Sequence, residues 1–371
     1  MLFDYNFRRY NFRLMAYILA LNTIGVLVIS SATNQDMDMV GKQIMGILIG
    51  IAVAVGISLI DYNKVLRLSM GIYGVCVALL LAVVIFGKVV NNARRWIVLP
   101  GIGQIQPSEF VKIGMIVFFS WYLSKYQERI NQVSVLGICA GLFAVPLLLI
   151  LEEPDLSTSL VIIFSVICMV YTAGISYKWI GGVVAVLTPI SVLFVFLLQH
   201  AMVPFLQPYQ VKRILAWIYP SQYADSNYQQ DNSIMAIGSG QLIGKGLNNN
   251  TLASVKNGNF LSEEQTDFIF AVVGEELGFI GGVVVIALFA LIIIECLIMA
   301  NRAKDLQGKL LCTGMAALLT FQSFSNIAVA TGMFPNTGLP LPFVSYGVSS
   351  LLSFYIGMGI VLNIGLQRKN Q

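Results

Sequence analysis

Hydrophobic runs of about 20 residues, the length at which a helix crosses a bilayer, recur from one end of the chain to the other. The runs near 14–31, 41–60, 66–87, 108–124, 134–151, 157–175, 179–199, 267–299, 310–330 and 344–366 predict ten membrane-spanning helices. Alternating patterns of the β-barrel type are absent, so the spans are expected to be helices. The polar stretches between them are short except at 88–107 and 200–266. A loop as long as the second is uncommon unless it has a function. It contains a helix-compatible stretch, 211–219, and Tyr209, Trp217, Tyr219, Tyr223 and Tyr228 suit the headgroup level. The expected fold is therefore all-α: one polytopic membrane domain over 1–371, with about ten transmembrane helices and one long extracellular loop at about 200–266.

Composition narrows the class. The chain is 57% hydrophobic and only 11% charged, which excludes an ordinary soluble domain or a disordered chain. Thirteen of the 22 Lys and Arg sit in short segments beside the spans on one side: Arg8, Arg9, Arg13, Lys64, Arg67, Lys125, Arg129, Lys178, Arg302, Lys304, Lys309, Arg368 and Lys369. By the positive-inside rule both termini are then cytoplasmic and 200–266 is external. The net charge of +4 reports topology and not nucleic-acid binding. All five cysteines lie within spans without CxxC spacing, so no disulfide framework or thiolate metal site is indicated. His200 is the single histidine and has no second imidazole to complete a zinc site.

Chemistry is concentrated at the external ends of the spans. Asp267 stands where the long loop enters the eighth span, with Glu275 and Glu276 inside it; carboxylates there are costly to desolvate and read as functional. A helix-start carboxylate is the equal alternative for Asp267. In a continuous helix, Glu275 would lie about 12 Å deeper than Asp267. Gly274, Gly278 and Gly282 form a small-residue ridge that lets another helix come close. Glu109 and Lys112, three apart at the start of the fourth span, share a helix face. They read equally as an internal ion pair or as part of an anion site with Arg94 and Arg95. Asp155 reads equally as an N-cap and as a site residue. The glycine-rich stretch 236–247 fits neither the P-loop nor the dinucleotide spacing, and is expected to be a mobile turn.

Taken together, Arg-Arg-Trp-Ile at 94–97, Gln-Pro-Ser-Glu-Phe-Val-Lys at 106–112, Glu-Pro-Asp-Leu at 153–156, Tyr-Gln-Val-Lys-Arg-Ile at 209–214, Thr-Asp-Phe-Ile-Phe-Ala at 266–271, Gly-Glu-Glu-Leu-Gly at 274–278 and 335–347 closely resemble the SEDS proteins (shape, elongation, division and sporulation). The resemblance covers about 12–368. Arg213-Ile214 and 244–247 are more similar to the RodA elongation branch than to the FtsW division branch. Asn92, Ser157 and Val348 depart from the family pattern, where glycines are usual. The resemblance implies a peptidoglycan glycosyltransferase that polymerises lipid II on the outer face of the bacterial cytoplasmic membrane. It implies Asp267 as general base. It also implies Arg95 and Lys112, backed by Arg94, Lys212, Arg213 and Lys245, as cations for the pyrophosphate, with Glu109 and Asp155 among the substrate-binding residues. No cofactor is required beyond a divalent cation (Mg or Mn) that can share the charge work, and no metal-ligand set is diagnostic. The implied partners are lipid II, membrane lipids and a class B penicillin-binding protein. A lipid II flippase and a non-catalytic scaffold for a transpeptidase are the rival classes.

Overall fold

In a computed structural model, the structure describes residues 10–90, 93–99, 103–199, 207–248, 254, 261 and 264–367. Arg8, Arg9, Asn92, His200, Arg368 and Lys369 lie outside them. Each of the ten predicted spans is a helix: α1 (Phe12–Ala32), α2 (Met37–Ser58), α4 (Ser69–Phe86) after the short α3 (Tyr62–Arg67), α5 (Pro107–Lys125), α6 (Val133–Glu152), α7 (Leu156–Thr172), α8 (Tyr177–Gln199), α11 (Ile269–Arg302), α12 (Leu306–Ala330) and α13 (Val348–Leu366). Eight are long and apolar enough to cross a membrane. Of the other two, α7 has 17 residues, and α5 carries Glu109, Lys112 and Lys125. All five cysteines are free.

The burial pattern orders the bundle. Most of α12 and α13 is buried and none of the apolar window of α8 is, so α12 and α13 form the centre and α8 an outer, lipid-facing edge. The α2 helix packs on α13, α7 and α11 pack on α12, and α1 packs on α11. Buried amides cross-link the helices of this core. Asn22 donates to the Tyr355 hydroxyl at 2.9 Å, and Asn363 donates to the Ser58 carbonyl at 2.7 Å.

Three features depart from the sequence reading. The segment after α4 is a small antiparallel sheet of β1 (Lys88–Val90), β2 (Ala93–Leu99) and β3 (Gly103–Ile105), in the order β1-β2-β3. Val89 faces Arg94, and Ile97 faces Ile105. The long loop holds two helices, α9 (Pro208–Ile218) and α10 (Ala224–Ser239); α10 docks on α11.

Third, α11 is not one rod. Gly278 has φ 66° and ψ −166°, a conformation essentially confined to glycine. It divides α11 into an outer segment, 269–277, and an inner one, 279–302. The two fold back on each other: a Cβ at Gly282 would lie 3.5 Å from the Phe270 ring, whereas 12 residues of straight helix span about 18 Å. The glycine ridge receives no neighbouring span. Gly274 abuts Ile237, and Gly278 abuts the backbone of Gly244. Depth changes accordingly. Glu276 accepts from Ser31 at the C-terminal end of α1, and Glu295 accepts from Asn11 at its N-terminal end, 2.8 Å away. The 20 residues of unbroken α1 from Asn11 to Ser31 rise about 30 Å, matching the hydrocarbon thickness of about 30 Å. Glu275 therefore sits near the boundary at the C-terminal end of α1 rather than about 12 Å deeper than Asp267, and the 269–277 segment turns Asp267 back toward the bundle.

Candidate active site

The sheet delivers Arg95. Successive strand residues point to opposite faces, so Arg94 and Arg95 diverge. Arg94 is exposed, and the expected joint cluster of the two is not formed. Arg95 reaches the turn between α6 and α7. Its Nε donates to the Glu153 carbonyl at 3.1 Å, and one Nη donates both to the Pro154 carbonyl and to the Tyr209 hydroxyl at 3.4 Å. The other Nη lies 4.0 Å from Asp155 Oδ1. Asp155 also caps α7, accepting from the Thr158 amide at 3.0 Å and its hydroxyl at 2.9 Å, and it accepts from Gln106 at 3.2 Å. The N-cap and the arginine contact thus coexist.

Arg213 comes from α9, whose start is held by a reciprocal Gln207–Gln210 capping box. The guanidinium lies over the Tyr209 ring, 5.7 Å from its centroid, and donates to the Asn336 carbonyl at 3.4 Å. Burial pulls the Arg213 pKa down, the charge of Asp267 and then Tyr209 pull it up, and Arg95 opposes them. The residue as a whole is exposed, which weakens the burial contribution, and a guanidinium stays charged in any case. The physical content is proximity: Arg213 stands within electrostatic reach of both Asp267 and Arg95. Lys212, next in sequence, is exposed and has no partner among the described residues.

Asp267 is half-buried and precedes the outer segment of α11 by one residue, Phe268. The segment 335–347 braces it. Asn326 Nδ2 donates to the carbonyls of Asp267 and Leu339 at 2.8 and 2.7 Å. A Cβ at Gly338 would lie 3.3 Å from Asp267 Oδ2. Ser345 donates to the Thr266 carbonyl at 2.6 Å, and the Tyr346 amide donates to the Gln265 carbonyl at 2.9 Å. One turn from Asn326, Gln322 donates to the Pro340 carbonyl at 3.0 Å and accepts from Lys112 at 2.8 Å. Lys112 also donates to Glu109 at 2.8 Å, and both residues are buried, at 1% and 3% exposure. The pair lies sealed beneath the site, joined to it through Gln322, so Lys112 presents no exposed ammonium to an anion.

Lys245 is a correction. It does not join the arginines; its Nζ lies 2.7 Å from Glu275 Oε1, at the opposite end of the outer segment from Asp267, because the loop after α10 is tied to that end. The 236–247 stretch is accordingly the end of α10 followed by an ordered strut and not a loose turn. The structure also brings in residues that the sequence reading did not assign to the site: Tyr209, Gln322, Asn326 and Gly338. Gln322 and Asn326 had a signal, being amides four apart inside an apolar span, where polar side chains are placed for a reason. Among the described residues no group of three His, Cys, Asp or Glu side chains could hold a metal ion, and the Asp155 oxygens are engaged by Thr158, Gln106 and Arg95, so no step is derived through a divalent cation.

A half-buried carboxylate within electrostatic reach of Arg213, on a broken helix at one end of a helical bundle, defines a polytopic all-α membrane protein with a charged cluster at one of its faces. The chain belongs to the FtsW, RodA and SpoVE family of cell cycle proteins, whose family model matches residues 12–370. It is 35% identical over 358 residues to the peptidoglycan glycosyltransferase MrdB of Escherichia coli K12, covering 96% of this chain and 93% of that one. It is 34% identical over 371 residues to the stage V sporulation protein E of Bacillus subtilis, covering 95% of each. Among solved structures it superposes with a TM-score of 0.80, at 27% identity and over 98% and 99% of the two chains, on a chain from work on the structural coordination of polymerization and crosslinking by a peptidoglycan synthase complex.

Proposed function

We propose that this chain is a peptidoglycan glycosyltransferase of the cytoplasmic membrane that polymerises lipid II at the outer face, with both termini cytoplasmic and a role in elongation. The observation that carries the mechanism is that Arg213 and Asp267 meet the same stretch, Arg213 donating to the Asn336 carbonyl at 3.4 Å and Asp267 Oδ2 abutting Gly338, with Arg213 within electrostatic reach of Asp267 and Arg95. The 4-hydroxyl of the acceptor sugar attacks the anomeric carbon of the donor. Asp267 accepts the hydroxyl proton as general base, the new glycosidic C–O bond forms, and the bond to the lipid pyrophosphate breaks. Arg95 and Arg213 stabilise the charge that develops on the leaving pyrophosphate. The Glu109–Lys112 pair supports this arrangement from below through Gln322.

A lipid II flippase would carry ionisable groups through the depth of the bundle. Among the described residues no Asp, Glu, Lys or Arg stands at mid-depth; Glu276 and Glu295 lie near opposite faces. A class B penicillin-binding protein is the proposed partner, supported by the similarity to the polymerization and crosslinking complex. The test is a strand-forming assay with purified protein in vesicles and labelled lipid II. Polymer supports the reading, translocated monomer makes the chain a transporter, and neither leaves a scaffold.

A further inference from the structure

We infer that Lys245 and Glu275 are positioning residues, a latch that sets where Asp267 stands for catalysis. The inference rests on the glycosyltransferase reading with Asp267 as base. A helix broken at Gly278 leaves carbonyls of the outer segment and amides of the inner one without helical partners. The loop after α10 supplies them. The Lys245 and Gly246 amides donate to the carbonyls of Glu275 and Glu276 at 2.9 and 3.0 Å, and the Phe279 and Ile280 amides donate to the carbonyls of Gln241 and Leu242 at 2.8 and 3.1 Å. The approach is so close that a Cβ at Gly244 would lie 2.2 Å from the Glu276 carbonyl oxygen. The Lys245 ammonium adds an ion pair to Glu275, whose side chain is 3% exposed. That places a cation at the carbonyl end of the outer segment, where the helix dipole favours it.

The outer segment is therefore a short lever. Its far end is clamped by the strut, and its near end carries Asp267, whose backbone is bonded to Asn326 and, through Gln265, to the 335–347 segment. Asp267 is eight residues from Glu275, about 12 Å along a helix, so a tilt of about 5° at the latch moves Asp267 by about 1 Å. A misplacement of that size can cost a catalyst about a hundredfold. Charge at Lys245 thus acts on the reaction without contact with the substrate.

The test is polymerisation kinetics on the full-length protein for Lys245→Met, Glu275→Gln, the neutral double variant and the swapped double variant Lys245→Glu/Glu275→Lys. We expect the single variants to lose about 10- to 100-fold in kcat with KM for lipid II changed by less than about twofold, and the swap to recover most of kcat. Should a single variant fail to fold with its stranded charge, the neutral double variant removes both charges of the pair together and is expected to fold and show the same kcat loss. A raised KM with kcat kept would make Lys245 a pyrophosphate ligand and overturn the latch. So would parental kcat in the neutral double variant, or a swap no better than Lys245→Met. Failure of the underlying reading is distinct: it shows as an inactive parent, or as parental activity in Asp267→Asn.

Discussion

Glu153 offers a measurement that the fold makes quantitative. It is fully buried in the turn beyond α6, and neither carboxylate oxygen has a hydrogen-bond partner among the described residues. Arg95 binds its backbone carbonyl and not its side chain. Burial first, and the charge of Asp155 second, raise its pKa from 4.5 to about 8, with Arg95 opposing. The folded protein then holds a proton on Glu153 at neutral pH, while the unfolded chain loses it above about pH 4.5. Folding takes up that proton, so stability is fully present below the unfolded value and is lost as pH rises through the folded one. At 1.36 kcal/mol per pH unit, the loss from pH 6 to pH 8 is about 3 kcal/mol and levels off above that. Glu153→Gln keeps the shape and carries no titratable proton, so this slope disappears. In a chain of this size about 3 kcal/mol corresponds to a few degrees of thermal midpoint. Thermal unfolding of detergent-purified parent and variant from pH 6 to pH 9 is the assay. The midpoint difference should widen in favour of Glu153→Gln as pH rises. Parallel curves would mean that the buried carboxylate is already ionised in the folded state, and the argument from burial would fail.

Asp267→Asn keeps the backbone bonds to Asn326 but cannot accept a proton, so the variant should fold and insert normally while polymerisation falls about a hundred- to ten-thousand-fold; a near-parental rate moves the base elsewhere. Lys112→Met strands a buried Glu109 and should cost about 3–5 kcal/mol in folding, with Lys112→Met/Glu109→Gln recovering most of the folded yield. A well-folded Lys112→Met with a raised KM would instead make Lys112 a substrate contact. Cysteine labelling from outside should reach position 226 and not position 304; the reverse result inverts the topology and removes the external site.

The ten spans were legible because burial in lipid imposes long apolar runs, and each run became a helix. The site was legible as residue types but only partly as geometry. Arg94 and Arg95 read as one cluster while 88–107 was taken for a loop; strand alternation separates them. Glu109 and Lys112 were two readings of one spacing, and only their burial and the reach of Gln322 from α12 show the pair sealed. Lys245 read as a phosphate cation because nothing local in 236–247 reveals a partner 30 residues away. Glu153 reads from sequence only as one of three acids at the start of the sixth span, since the cost of its burial lies in what surrounds it.

The break in α11 is the consequential case, and a signal for it was present. The apolar run 267–299 would rise about 50 Å as one helix, well beyond the roughly 30 Å hydrocarbon layer. Some residues had to leave the span, tilt or fold back, and Gly278 is where the backbone can adopt the required conformation. Hydropathy does not mark the break, because the apolar run continues on both sides of Gly278. Yet the excess length is what matters for function. A straight α11 would carry Asp267 about 17 Å beyond Gly278, out over the membrane surface and away from Asn326 on α12. Folding back returns it to the boundary, beside the arginine that α9 brings. Under the proposed function, a base at that depth meets a sugar hydroxyl whose lipid tail stays in the bilayer, which suits a lipid-linked acceptor better than a soluble one.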